Sequence, residues 1–218
     1  MTKEEKLHQL AIISDEVRKC QRCVLFKAAT SGVPGEGDVD AKVMFIGEGP
    51  GFNEDKQGRP FVGQAGKLLT ETIESLGWKR PDVFITNVVR HRPPENRDPL
   101  PEEITACDVW TDKIIELVEP KVIVTLGRFS MAKFISGATI SKVHGQARLS
   151  NYKGRQYVVM PMFHPAAALR AGEMMSQFKA DFKKLPEVVN MSIDDLVPPL
   201  VKKEEPKNDV GPNQMNLI

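Results

Sequence analysis

The stretch from Gly47 to Leu69 constrains this chain most. It joins an apolar run to a helical repeat through a loop holding five of the sixteen glycines: Gly47, Gly49, Gly51, Gly58 and Gly63. Lys42-Val-Met-Phe-Ile46 reads as a short buried parallel strand, and Ala65 to Leu76 repeats apolar residues at helical spacing. A glycine-rich loop at the carboxyl end of such a strand lets main-chain N–H groups approach a polar ligand, where open α/β sheets bind their ligands. It is not an ordinary nucleotide loop. G-x-G-x-x-G is absent, and Gly63-Gln-Ala-Gly-Lys67 lacks the four-residue spacer and following Ser/Thr of a phosphate-binding loop. The loop offers Glu48 at its start, Glu54 and Asp55 inside, and Phe61 near its end. Carboxylates with one ring suit a flat, neutral, hydrogen-bonding ligand.

The rest of the chain alternates. An N-terminal helix is expected over about Glu4 to Lys27. Strands are expected near Val43, over Val83 to Asn87, Val122 to Leu126 and Tyr157 to Pro161, with helices near Leu68, over Glu102 to Val118 and Phe129 to Ile135. This order predicts an α/β fold, a three-layer α/β/α sandwich with a central, mainly parallel four-stranded sheet, over residues 1 to 188. The run from Val143 to Val158, with Asn151 and Gly154 at its turn, reads as an inserted hairpin. Residues 189 to 218 turn polar and proline-rich and read as a flexible tail.

With 218 residues, 41% of them hydrophobic, the chain is large enough for a sizeable core, and no apolar run approaches a membrane span of about 18 residues. The first residues lack the apolar core of a signal peptide, which points to the cytoplasm. The net charge of +1 is low for a nucleic-acid binder. It divides, however, into −2 on residues 189 to 218, with five acids against three lysines, and +3 on residues 1 to 188. Such a surplus suits weak scanning of DNA with specificity gained in a pocket.

Six short motifs then fall in one order: Gly47-Glu-Gly-Pro-Gly51, Glu54-Asp55, Gly58-Arg-Pro-Phe-Val-Gly63, Thr86-Asn87, Arg92-Pro-Pro94 and His164-Pro165. In order and spacing they resemble the iron-sulfur, thermostable-type, family-four uracil-DNA glycosylases, over roughly residues 15 to 185. The resemblance implies that the chain flips deoxyuridine from single- or double-stranded DNA, hydrolyses its N-glycosidic bond and starts base excision repair. It implies that Phe61 stacks on uracil, that Asn87 reads N3–H and O4, and that Glu54 crowds C5 against thymine. It further implies that His164 donates to O2 as the base departs, and that Glu48 positions the attacking water beside the Gly49 backbone. Gly49 stands where better-known glycosylases carry a catalytic aspartate, so the mechanism leans on electrostatics and an oxocarbenium-like sugar. Leu169 and Arg170 suit a wedge filling the vacated gap, or simply the start of an amphipathic helix. Phe52-Asn53 departs from the acidic residues common there.

Cysteine usage adds a second site. Cys20-Gln-Arg-Cys23 has metal-hairpin spacing, and Cys107 lies on a helix after a proline-rich loop. The resemblance places a fourth ligand at His91, where the family carries a cysteine. It implies a 4Fe-4S cluster on Cys20, Cys23, His91 and Cys107, whereas Cys3His by ligand chemistry alone is a usual structural Zn2+ set. Core thiols or a redox C-x-x-C pair remain as other readings. Arg90, Arg92 and Arg97 flank this site as candidate DNA-backbone contacts. Relatives that trap uracil-DNA covalently use a histidine in an insertion before the last ligand. Residues 92 to 106 contain neither, so release of free uracil by a monomer is expected. A noncatalytic uracil-DNA sensor would keep Phe61 and Asn87 without needing Glu48 or His164. The C-terminal Gln214-Met-Asn-Leu217-Ile218 resembles a sliding-clamp-binding peptide on a tether, with Ile218 in place of the usual aromatic.

Overall fold

In the computed structural model, which describes residues 1–196, four parallel strands form the centre of a six-stranded sheet. Strands β1 (Glu36–Gly37), β2 (Val43–Gly47), β3 (Phe84–Asn87), β4 (Val122–Leu126), β5 (Arg148–Tyr152) and β6 (Arg155–Met162) lie in the order β1-β3-β2-β4-β6-β5. The edge strands β1 and β5 are antiparallel to their neighbours. The expected four strands are present, and the sheet is two strands wider. The hairpin expected as an insertion joins the sheet because β5 pairs with β6 around Lys153 and Gly154, at φ 49° and 80°. Two consecutive positive φ values match the twist of the flanking strands. β1, at two residues, is too short to leave a periodic signal.

The helices are α1 (Lys3–Arg18), α2 (Phe52–Gln57), α3 (Gln64–Glu74), α4 (Pro101–Val118), α5 (Arg128–Phe134), α6 (Ile140–Val143), α7 (Pro165–Ala168), α8 (Gly172–Phe182) and α9 (Leu185–Asn190). Every residue of β2 is buried, as a strand covered on both faces requires. Val43 and Phe45 face Leu69 and Ile73 of α3 and Phe178 and Phe182 of α8; Phe45 stacks on Phe182 with centroids 5.7 Å apart. Met44 and Ile46 face the other layer, with Val17 of α1, Ile114 of α4 and Phe134 of α5. The period of two along β2 thus assigns helices to both faces and builds the three layers.

Two boundaries differ from expectation. Helix α1 ends at Arg18 rather than Lys27, where the chain leaves helical geometry and Cys20 turns in to accept a hydrogen bond from Trp110 Nε1 of α4 at 3.2 Å. At the other end, Val189, Met191 and Leu196 pack against the α3–α8 core, so the packed body continues past residue 188. The clamp-like residues Gln214, Leu217 and Ile218 lie outside the described residues. Among the described residues, no helix is long and apolar enough to cross a membrane.

Candidate active site

All four parallel strands end on one side of the sheet, and each contributes there. β2 runs into Glu48 and Gly49, β3 ends at Asn87, β4 leads into Gly127 and Arg128, and β6 leads into Phe163 and His164. These residues line a cleft of about 680 Å³ together with Glu54, Phe61, Asp98 and Arg170. Strand order changes direction at β2, which is where such sheets open a binding crevice.

Gly47 sets the width of the cleft. It pairs with Asn87 in the parallel register, and a Cβ on Gly47 would lie 2.4 Å from the Phe61 ring and 2.5 Å from Asn87 Oδ1. Only glycine lets the ring and the amide stand this close. Phe61 itself adopts φ 50°, an unfavourable left-handed geometry for an aromatic residue. The surroundings hold it there. The Arg80 guanidinium donates to the Pro60 carbonyl at 2.7 Å and to Glu36, which also receives two hydrogen bonds from Arg59. Gly66 gives room on the other side, where a Cβ would collide with the Phe61 carbonyl at 1.8 Å.

Asn87 is 2% exposed, and its Oδ1 has no hydrogen-bond partner among the described residues. An orphaned buried acceptor carries a desolvation penalty of about 1 to 3 kcal/mol, which a donor from a ligand would relieve. His164 faces Phe61 with ring centroids 5.7 Å apart. Burial depresses its pKa to about 4, Glu54 partly offsetting and Arg170 reinforcing the shift, so the ring is neutral at pH 7. Its Nδ1 accepts from the Ala166 main-chain N–H at 3.1 Å, which leaves the proton on Nε2 as a donor.

Glu48 is pushed up to about 7, first by burial, then by the negative Asp98, with Arg128 opposing. Arg128 is ion-paired to Asp98, so the two opposing charges act on Glu48 together. Glu54 lines the cleft, but its carboxylate accepts from three main-chain N–H groups: Val62 at 2.8 Å, Gly63 at 2.7 Å and Gly51 at 3.2 Å. It fastens α2 to the loop carrying Phe61. Gly49 lines the cleft with a Cβ position only 2.7 Å from Val89. Arg170 lines it too, and the adjacent Leu169 is exposed at its edge.

The second site is only partly assembled. Cys20 and Cys107 are buried and Cys23 is half-buried. The Cys107 and Cys23 thiols are hydrogen-bonded, which lowers Cys23 to about 6 and pushes Cys107 up. His91 is buried, and among the described residues its Nδ1 has no hydrogen-bond partner; burial lowers its pKa, with the Asp55 charge opposing. Among the described residues no set of three or more His, Cys, Asp or Glu side chains stands in metal-ligating geometry. Two of the thiols nonetheless lie near an unusual cation. Arg90 is fully buried; it donates to Thr86 Oγ1, the Asn87 carbonyl and Thr111 Oγ1, faces Cys107 and Cys20, and has no carboxylate partner among the described residues. The DNA-backbone role expected for Arg90 is therefore ruled out by burial. Arg97 is committed to Glu103 through two hydrogen bonds, at 2.6 and 2.9 Å. A buried guanidinium beside neutral thiols is costly, and thiolates held by a metal would supply the missing negative charge. The donor set fits a metal–thiolate centre on that ground.

Sequence reasoning missed Asp98, Arg128 and Phe163. The rule that ligands gather at carboxyl strand ends, applied to Gly127 and Met162 as it was to Gly47 and Asn87, would have found Arg128 and Phe163. Asp98 reaches the cleft only through the fold of the 92–100 loop.

A parallel-centred sheet flanked by helices, with a strand-end cleft carrying Asn, Phe, His and Glu, defines a base-binding α/β protein, and the comparisons name its family. Residues 34–186 match the model of the uracil DNA glycosylase superfamily. The chain is 48% identical over 188 residues to a type-4 uracil-DNA glycosylase of Sulfurisphaera tokodaii, covering 84% of this chain and 86% of that one. It is 43% identical to the type-4 enzyme of Archaeoglobus fulgidus, covering 84% and 94%, and 44% identical to that of Thermotoga maritima, covering 78% and 86%. The chain belongs to the uracil DNA glycosylase superfamily.

Proposed function

We propose that this protein is a uracil-DNA glycosylase that draws deoxyuridine into the strand-end cleft and hydrolyses its N-glycosidic bond. The carrying observation is the unpartnered Asn87 Oδ1 beside the Phe61 ring and a neutral His164. Uracil offers N3–H to Asn87 Oδ1 and O4 to its Nδ2–H. Cytosine, with an unprotonated N3 and an exocyclic amine, reverses both contacts. Phe61 supplies the stacking face, a contribution of about 1 to 3 kcal/mol.

As the N1–C1′ bond breaks, its electron pair goes to the base, and His164 Nε2–H donates to the charge developing on O2. A neutral imidazole is suited to this task because it needs no counter-ion in a dry cleft. Glu48, when ionised, orients water toward the electron-poor C1′ and accepts its proton. Glu54 contributes by keeping Phe61 in place, a role beyond the expected crowding of C5. Arg170 and Arg128 at the rim suit flanking phosphates, and exposed Leu169 suits the wedge.

Cys20, Cys23 and Cys107, with His91 as the fourth ligand, would hold a 4Fe-4S cluster or Zn2+. Such a centre would be structural, tying the segment after α1 to α4 and to the chain following β3. The clamp reading of the tail, a cytoplasmic setting and a monomeric state rest on sequence alone.

The test incubates anaerobically purified protein with a labelled oligonucleotide containing one deoxyuridine and measures free uracil and denaturation-resistant adduct, with His164→Ala in parallel. Release that collapses in the variant supports the reading. Adduct formation would mean covalent trapping, and tight binding with neither product would make the protein a sensor.

A further inference from the structure

Phe52 is the one aromatic side chain that is exposed among the described residues, at 60%. It begins α2, and the residues around it, Gly51 and Glu54, line the cleft. Above its ring, 5.3 Å from the centroid, lies the Arg92 guanidinium, which is oriented by a 2.8 Å hydrogen bond from its Nε to Asn96 Oδ1. Pro93 and Asn96, from the segment carrying Arg92, also line the cleft. The Phe52–Arg92 pair therefore joins two cleft-lining segments, outside the residues that meet the extruded base. An isolated exposed ring is unremarkable on a protein surface. A ring beside a binding cleft, capped on one side by an oriented cation and open to water on the other, is a stacking platform.

We infer that Phe52 and Arg92 form a second subsite, which stacks the nucleobase adjacent to the extruded deoxyuridine and holds the intervening phosphate. This rests on the glycosylase reading of the cleft. Extrusion of a nucleotide leaves its neighbour with one bare π-face, and a ring at the cleft rim replaces the lost stacking. The guanidinium lies at the lip the backbone must cross, where phosphate contacts fix register. The subsite is indifferent to base identity, since every base has a π-face, and it favours single strands, whose neighbouring base is free to reorient.

The experiment uses single-stranded oligonucleotides with one deoxyuridine whose 5′ or 3′ neighbour is either intact or an abasic tetrahydrofuran spacer. KM for uracil release and equilibrium Kd by fluorescence anisotropy are compared for wild type, Phe52→Ala and Phe52→Trp. One of the two spacers should weaken wild-type binding about 5- to 20-fold. Phe52→Ala should lose a similar factor on the intact strand and almost nothing further on that spacer strand, and Phe52→Trp should restore the coupling. Equal losses for Phe52→Ala on intact and spacer strands, or no loss on either, would overturn the proposal. So would wild-type binding unaffected by both spacers. Absence of uracil release with this coupling intact in Kd would refute the glycosylase reading and leave the subsite standing.

Discussion

Glu48→Gln should inactivate the protein and stabilise it at once. Glu48 is pushed from 4.5 to about 7 by burial and by Asp98. A carboxyl raised in the folded state binds its proton more tightly there, so its contribution to stability is fully present below about 4.5 and is lost as pH rises through about 7. At full weight that displacement corresponds to about 3 kcal/mol, and partial solvent access to the cleft reduces it to about 1 to 2 kcal/mol. Glutamine is neutral throughout and avoids the loss. Thermal unfolding followed across pH 4 to 8 should show the two proteins alike at the acid end and the variant about 2 to 8 °C more stable at the upper end. Uracil release by wild type should rise through an apparent pKa of about 7, as the carboxylate forms. The variant should lose that limb and fall about 10²- to 10⁴-fold in kcat/KM. Asp98→Asn should move the limb to lower pH and Arg128→Ala to higher pH, because these are the opposing neighbours. A stability difference constant over the whole range, or a rate limb untouched by both neighbours, would refute the assignment of a buried, charge-tuned Glu48.

Asn87→Ala should narrow the preference for uracil over cytosine by about 5- to 150-fold, the equivalent of about 1 to 3 kcal/mol, measured as relative kcat/KM on matched oligonucleotides. Gly47→Ala should leave far-UV circular dichroism unchanged yet raise KM by at least about tenfold, since its Cβ would stand 2.4 Å from the Phe61 ring. On the metal–thiolate reading, Arg90→Met should lower both the metal content of anaerobically purified protein and its Tm, because the guanidinium would no longer balance metal-held thiolates at Cys20 and Cys107. His91→Cys should raise iron occupancy and visible absorbance if a cluster is the resident group, and leave zinc stoichiometry unaltered if it is not.

The parallel sheet was legible because β2, β3 and β4 are short apolar runs between helical repeats, and that alternation permits few topologies. Asn87 and His164 were legible through motifs at strand ends, and Phe61 through a motif in the adjoining loop. β1 was not, since two residues carry no period, and the end of α1 was not, since the helix stops for a contact between Cys20 and Trp110 that are ninety residues apart. Arg90 read as a surface cation; its burial follows from packing of α4 against the chain after β3.

The sequence by itself determined which strands are covered on both faces and where the glycines permit close approach, and its motif order, through the family resemblance, marked candidate site residues. The first two are local properties, set by side-chain type and by the periods of 2 and 3.6. Tertiary structure alone decided the electrostatic state of those side chains. Glu48 is pushed up to about 7 because the fold buries its carboxyl and the 92–100 loop brings Asp98 near it, against the opposing charge of Arg128 on α5, and His164 falls to about 4 because the cleft removes water from its ring. Solvation and distant charge depend on where the whole chain goes, and no local pattern encodes them.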